Sequence, residues 1–377
     1  MPLEEYVVKQ QKRLRCGYTT GTCAALAAKA AAQMLLTQQP QQEAALLTPK
    51  GIGVQAAVQD VSFSPLQARC AIQKDSGDDP DVTHGVLVYA TVRPLPAPGV
   101  VVDGGEGVGR ITRKGLEQPV GAAAINRVPR QMIQAEVQAV CDDWHYEGGM
   151  EVVISIPQGV ELAARTFNPR LGIEGGISVL GTSGIVEPMS EKALTDSIRI
   201  ELRQLRENGV TGIILTPGNY GQGFLGQHPS LAALPSVKCS NFIGDALDFT
   251  VELGFHRVLA IGHIGKFVKL AAGIMNTHSR YADGRMEVLA AHGAALGLSA
   301  DGATAILGSI TTDEALTVLE HANLLRPVMD SIMQKIAFHL NARVAGQLEI
   351  EAGMFDSTRG LLGVTKGFDS MIMKISI

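Results

Sequence analysis

No two of the five cysteines (Cys16, Cys23, Cys70, Cys141, Cys239) form a CxxC pair, and their number is odd. That argues against a disulfide framework and a structural zinc site, and predicts reduced thiols in a cytoplasmic protein. Charge is sparse: 18% of residues are Asp, Glu, Lys or Arg, the net charge is −5, and no basic run occurs. A nucleic-acid footprint is missing, and a polyphosphate partner is disfavoured. No segment offers about 18 consecutive apolar residues, and residues 1–14 mix charged with apolar positions, so neither a membrane span nor a secretory leader is expected. Aromatics make up only 5%, which leaves Ala, Val, Leu, Ile and 42 Gly to build the interior. So much glycine favours tight turns and close backbone approach over a purely helical architecture.

At 377 residues the chain exceeds what one core usually serves, and two domains of roughly 100–200 residues each are expected. An Ala-rich helix is predicted over 20–36, capped by Thr20 or Thr22. Short apolar stretches at 68–72, 85–92 and 100–102, broken by Pro and Gly, read as strands, and helical periodicity returns over 131–140. The polar stretch 142–149 is the expected boundary. It divides an α+β domain (1–145) from a parallel-sheet, Rossmann-like domain (146–377) whose tail is free to pack back on the first.

Beyond it, short buried runs at 151–156, 176–180, 210–215 and 257–261 alternate with helical patterns at 190–208, 241–253 and 266–275. Strand, loop and helix in repetition indicate a parallel sheet wound by right-handed crossovers. Two further helices are expected near 286–296 and 313–340, and a strand-like tail over 346–377. Three runs end in small-residue loops: Gly181-Thr182-Ser183-Gly184, then Gly218-Asn219-Tyr220-Gly221 after Thr216-Pro217, and Gly262-His263 leading to Lys266. Ligands of such sheets sit beyond the carboxyl ends of the strands, where these loops are expected to gather around a nucleotide-like ligand. A ligand-free βα turn is the competing reading of any one loop alone.

Residues 74–84 hold Asp75, Asp78, Asp79 and Asp81, bracketed by Lys74 and His84. An oxygen-rich loop of this kind suits a hard cation, but the spacing is not that of an EF-hand and no glutamate closes it. Either this is a solvated turn or a catalytic and orienting loop, in which crowded acids raise one another's pKa and one stays protonated to act as the acid. The second reading, with Asp75, Asp78, Asp81 and His84 as catalytic candidates, requires the two domains to face each other across a cleft. The Gly-rich stretch 103–110 lacks a following Lys-Ser/Thr, which excludes a Walker loop and leaves a hairpin delivering Arg110 to an anion. Lys266, Lys269 and His278 suit a cationic wall beside an acidic ligand, against the alternative of a solvated helix surface. No GxSxG appears, and no nucleophilic cysteine is evident.

These motifs together resemble the cobalt-precorrin-5B C-1 methyltransferase family, the CbiD proteins. The resemblance rests on GYTTGTCAA (17–25), KDSGDDPDVTHG (74–85), GGEGVGR (104–110), GGISVLGTSGIVEPMS (175–190), PGNYG (217–221), SNFIGD (240–245) and GHIGKFVKLAAGIMNTHS (262–279). It spans residues 14 to about 290, with looser agreement in the tail. Departures fall at turn positions: Ser76 in place of Ala, Lys114 and Arg127 in place of Pro. The resemblance implies S-adenosylmethionine (SAM) as methyl donor, cobalt-precorrin-5B as acceptor, cobalt carried only inside the substrate, and a place in oxygen-independent cobalamin biosynthesis. A tetrapyrrole with acetate and propionate arms needs dispersed cations, for which Arg110, Arg130, Lys266, Lys269 and His278 are the candidates. Other enzymes of the corrin pathway and an oligomeric state remain open as partners. Two rival readings are a nicotinamide or flavin oxidoreductase, opposed by the missing GxGxxG with its distal acid, and a non-catalytic corrinoid carrier, which would not need the 181–184 pocket.

Overall fold

The computed structural model describes residues 3–9, 11–166 and 168–376. It forms two compact units, Met1–Ser190 and Glu191–Ile377. Ile377, the last residue of the expected strand-like tail, lies outside the described residues.

In the first unit a six-stranded sheet has the order Glu43–Leu47, Gly53–Ser64, Gln67–Gln73, Leu87–Leu95, Gly149–Ser155, Gly99–Gly104. All its pairings are antiparallel except the last, where Gly149–Ser155 runs parallel to Gly99–Gly104. The helix Thr20–Thr37 lies against this sheet. Its near-continuous alanines present little beyond backbone, so the helix is buried around most of its circumference. Thr19, one residue before the expected caps, accepts the Thr22 N–H and starts the helix; Gln38 ends it in the left-handed region. The second helix, Arg127–Asp143, buries Ile133, Val137, Val140 and Cys141, residues spaced by three or four on one stripe. Lys29 and Glu136 pair across the two helices at 2.8 Å.

The division between units differs from the expected one. Residues 142–149 are the turn that carries the chain from the second helix into Gly149–Ser155, and that strand is held on both sides by the first sheet. A strand with partners on both edges cannot open a new domain; the units part at Ser190 and Glu191 instead. The run 176–180 contributes only Gly176–Ile177, which pairs with Gly107–Val108 in the first unit and is no member of the parallel sheet.

That sheet occupies the second unit, in the order Ser236–Lys238, Gly212–Thr216, Arg257–His263, Glu349–Asp356, Gly360–Val364. The first four strands are parallel and the last is antiparallel. Alternate residues enter separate cores: Ile213, Leu215, Val258 and Ala260 on one face, Ile214, Leu259 and Ile261 on the other. A sheet covered by helices on both faces explains the continuous apolar runs of its strands. Glu191–Glu207 and Ile243–Glu252 form the expected helices. The expected 266–275 helix is reduced to Ile264–Phe267 and a 3-10 turn, Val268–Ala272, closed by Gly273 at φ 76°. The single helix expected over 313–340 is two, Thr312–His321 and Leu325–Val344, because Asn323 between them adopts φ 58°. Ala300–Gly308 carried no expectation, and the tail helix Phe368–Ile375 stands where a strand-like tail was expected, since Phe368, Met371 and Ile375 recur at helical spacing and are buried on one stripe.

Candidate functional site

Three sequence-distant motifs meet within the first unit. Tyr18 N–H donates to the Asp75 carbonyl at 2.8 Å, Asp78 N–H to the Arg15 carbonyl at 2.9 Å, and Thr19 N–H to the Gly184 carbonyl at 3.0 Å. A Cβ on Gly17 would overlap the backbone of residues 75–77, and one on Gly77 would overlap Arg15 and Cys16, so each glycine is demanded by the other's chain. Gly181 packs in the same way on Thr19, and Gly184 on Thr48 and Thr22, while the Ser183 carbonyl accepts from the Lys50 N–H at 3.1 Å. The 181–184 loop is therefore a packed part of the first unit and does not end a strand of the parallel sheet.

The acidic loop is fully paired rather than self-repelling. Lys74, 3% exposed, donates to Asp81 and to Ser76 Oγ, each at 2.6 Å. Asp75 takes both guanidinium nitrogens of Arg15 and the Gly77 N–H. Asp78 accepts the Arg15 N–H and Asp79 the Met189 N–H. Burial pushes the Asp81 carboxyl up, but Lys74 and the Thr83 donors outweigh it and hold it below the usual range. For Asp75 burial is likewise overcome, by Arg15 and the Gly77 amide. The expected mutual raising of pKa is thus reversed at Asp75 and Asp81, because each acid has its own donor. His84 is exposed and accepts the Ser76 N–H through Nδ1, which leaves Nε2 to carry the proton in the neutral ring.

The carboxyl ends of the parallel strands gather a second set of side chains, from Thr216, Lys238, His263 and Asp356 and the turns after them. Gly218 adopts φ 74° and opens the helix Gly218–Gln227, so the expected 218–221 loop is this helix's first turn. Lys266 Nζ lies 3.0 Å from where a Cβ on Gly218 would stand, while the φ of 74° is what favours glycine there. Asn219 accepts from Lys238. Gly221 and Gly262 are occupied differently: a Cβ would overlap Thr216 in one case and the Phe267 ring in the other.

His263 Nδ1 accepts the Gly265 N–H at 3.1 Å and caps the short helix. Its Nε2 faces Asp356 Oδ2 at 3.8 Å, Tyr220 lies over it at 5.1 Å between ring centres, and Phe355 meets it edge-on at 5.5 Å. Burial lowers the His263 pKa against the opposing pull of Asp356, and the imidazole is neutral near pH 7. Asp356, 5% exposed, is pushed up by burial, yet the Thr358 and Arg359 donors more than offset this and keep it ionised. Arg359 is in turn held by Asp313 and Glu320.

Of the cations expected to meet an acidic ligand, most are committed inside the fold. Arg110 chelates Asp103 and the Gly104 carbonyl. Arg130 donates to the Val102 carbonyl, and burial lowers its pKa. Lys269, 2% exposed, donates to the carbonyls of Thr277 and Ala282 instead of lining a wall. His278 Nδ1 accepts the Arg280 N–H. Lys266 alone of the five has no hydrogen-bond or ion-pair partner among the described residues; burial, then Lys238 and Lys269, lower its pKa. Lys238 and Asp356 were missed by sequence reasoning. For Asp356 a signal existed: an acid ending an apolar strand, followed by Ser357 and Thr358 in Asx-turn spacing. No group of three or more His, Cys, Asp or Glu suited to a metal occurs among the described residues, and none of their helices is long and apolar enough to cross a membrane.

The family model CbiD matches residues 7–188, and the model for the CbiD C-terminal domain matches residues 276–366. A cobalt-precorrin-5B C(1)-methyltransferase of Ruminiclostridium cellulolyticum is 48% identical over 353 residues, covering 94% of this chain and 92% of the relative. One from Alkaliphilus metalliredigens is 44% identical over 360 residues, covering 96% and 94%. A crystal structure of a cobalamin biosynthesis protein (cbiD) from Archaeoglobus fulgidus aligns with TM-score 0.40 and 27% identity over 73% of this chain and 86% of that one.

Proposed function

The chain belongs to the CbiD family, and from that premise we propose that it transfers a methyl group from SAM to C-1 of cobalt-precorrin-5B in cobalamin biosynthesis, in the cytoplasm. The products are cobalt-precorrin-6A and S-adenosylhomocysteine. The observation that carries this reading is the 48% identity to a cobalt-precorrin-5B C(1)-methyltransferase across 94% of the chain.

When bound, SAM would supply a sulfonium methyl group as electrophile: the electron-rich ring carbon would gain the methyl, S-adenosylhomocysteine would leave as a neutral thioether, and the macrocycle would release one proton to solvent, a net gain of one methylene unit. Such a displacement needs no covalent nucleophile, in agreement with five buried thiols. Its barrier falls mainly through positioning, an effect worth roughly 7–11 kcal/mol. The residues at the strand ends of the second unit fit the donor: a turn with left-handed Gly218, the polar Asn219, the exposed Tyr220 ring, neutral His263 and an unpaired ammonium on Lys266. Gly221 and Gly262 contribute through packing, against Thr216 and Phe267. In the first unit Gly181, Thr182, Ser183 and Gly184 act through the fold of the loop rather than as a nucleotide turn.

Cobalt arrives inside the macrocycle. Arg110 is the strongest remaining candidate for one of the ring's carboxylate arms, since its pair with Asp103 is about half exposed and such pairs contribute only about 0–1 kcal/mol, so a substrate carboxylate can replace it. Exposed Asp78 and His84 are the members of the acidic loop suited to orienting the ring. Calorimetric titration with SAM and with NADPH, followed by anaerobic addition of cobalt-precorrin-5B, tests the function. SAM binding and a corrinoid mass gain of one methylene unit are expected; binding of NADPH alone, or binding of corrinoid with no mass gain, would overturn it.

A further inference from the structure

Two polar groups at the strand ends of the second unit are left unsatisfied by the fold itself. The Lys266 ammonium is half-buried with no partner among the described residues. On Asp356 the Thr358 N–H, the Thr358 hydroxyl and the Arg359 N–H all converge on Oδ1, at 3.0, 2.7 and 3.0 Å. Oδ2 receives none of them, and its nearest recorded donor, His263 Nε2, stands at 3.8 Å, beyond a hydrogen bond. A half-buried ammonium and a carboxylate oxygen left open at one sheet edge point to a ligand that completes both.

The spacing narrows that ligand. Lys266 Nζ stands over Gly218, at the end of Gly212–Thr216, and Asp356 ends Glu349–Asp356; Arg257–His263 runs between them. Two strand steps amount to about 10 Å. The ammonium and carboxylate of one amino acid share a carbon and lie only about 2.5 Å apart, so even with a hydrogen bond of about 2.8 Å at each end such a head group spans about 8 Å, short of two strand steps. A molecule with a carboxylate at one end and hydroxyls several bonds away spans them.

Resting on the reading that the donor binds in this unit, we infer that Lys266 takes the carboxylate of the methionine moiety and Asp356 Oδ2 accepts the ribose hydroxyls, with the adenosyl donor laid across His263. This assigns Lys266 to the donor rather than to a corrinoid arm. Arg359 and Thr358 are positioning residues: they saturate Oδ1 and turn Oδ2 outward.

Calorimetry with S-adenosylhomocysteine and with 5′-methylthioadenosine, which keeps the ribose but lacks the amino acid, tests the assignment on the full chain. Lys266→Met should weaken S-adenosylhomocysteine roughly tenfold or more, the scale of a charge-assisted hydrogen bond, and leave methylthioadenosine within about twofold. Asp356→Asn should weaken both ligands. Because Lys266 has no partner, Lys266→Met should also melt no lower than the parent chain, and a drop in Tm would mark a structural lysine and overturn the assignment. Weakening of S-adenosylhomocysteine alone by Asp356→Asn would show an ammonium contact and also overturn it. If the parent chain binds S-adenosylhomocysteine and neither variant changes this, the assignment fails while the methyltransferase reading stands; if the parent binds neither SAM nor S-adenosylhomocysteine, both fail. Should Asp356→Asn not fold, the ligand split of Lys266→Met and its Tm still decide.

Discussion

Asp81→Ala is expected to destabilise the first unit by about 3 kcal/mol. The variant strands Lys74, whose side chain is 2% exposed, with the Ser76 hydroxyl as its one remaining recorded acceptor. Removing one member of a buried pair costs about 3–5 kcal/mol, and the lower end applies because the Asp81 side chain is 27% exposed and water reaches it. For a unit of this size each kcal/mol lowers Tm by about 2–4 °C, which gives a fall of roughly 6–12 °C at pH 7. The pH dependence has a definite sign. Asp81 has its pKa lowered by folding, so its contribution is complete above the unfolded carboxylate value of about 3.9 and is lost as pH falls through the folded value. Parent and variant melts should therefore stay a constant distance apart from neutral pH down to about pH 5 and converge in stronger acid. Adding Lys74→Met to Asp81→Ala should recover part of the loss by removing the uncompensated charge. Calorimetric melts of the four chains decide the matter: a loss under about 1 kcal/mol, or a double variant no more stable than Asp81→Ala, would refute the clasp.

Burial pushes the thiols of Cys23, Cys70 and Cys239 up to about 12, and all five cysteines are buried; an aromatic disulfide reagent should label none rapidly at pH 7.5 in the native chain, and fast release of chromophore would contradict this. Gly77→Ala forces a Cβ into the Arg15 backbone at φ 63°, so the soluble yield should collapse or Tm fall steeply, whereas Gly51→Ala, in open space on a similar φ, should cost far less. Asp356 raises the His263 pKa while burial lowers it, so Asp356→Asn should move the histidine's NMR titration midpoint further down; an upward shift would show that the two groups do not face each other.

The apolar grammar of the second unit was readable because a doubly covered parallel sheet has no solvent face to interrupt its strands, and Gly212–Thr216 and Arg257–His263 fall where the runs predicted. The helix at 20–37 was equally plain from its alanines. Pairing was not readable. Residues 151–156 and 213–215 are much alike as strings, yet the first lies in a mixed sheet beside Leu87–Leu95 and the second in the parallel one. Apolar periodicity reports that a strand is buried on both faces and says nothing about which neighbours bury it.

The sequence by itself determined the family, through long uninterrupted motifs, and with it the reaction class; it also determined that no disulfide framework or nucleophile motif is present. Only the tertiary structure decided which charges are available for a ligand. Asp75, Asp81, Arg130 and Lys269 look like reactive groups when read in a line, and each is consumed by a partner brought from elsewhere in the fold or by a nearby carbonyl. Asp356, whose turn spacing is legible in the sequence, emerges with an open oxygen because the folded turn directs the recorded donors to Oδ1. Availability is what remains after the folded chain has satisfied its own polar groups, and that remainder depends on long-range contacts that residue type and spacing do not encode.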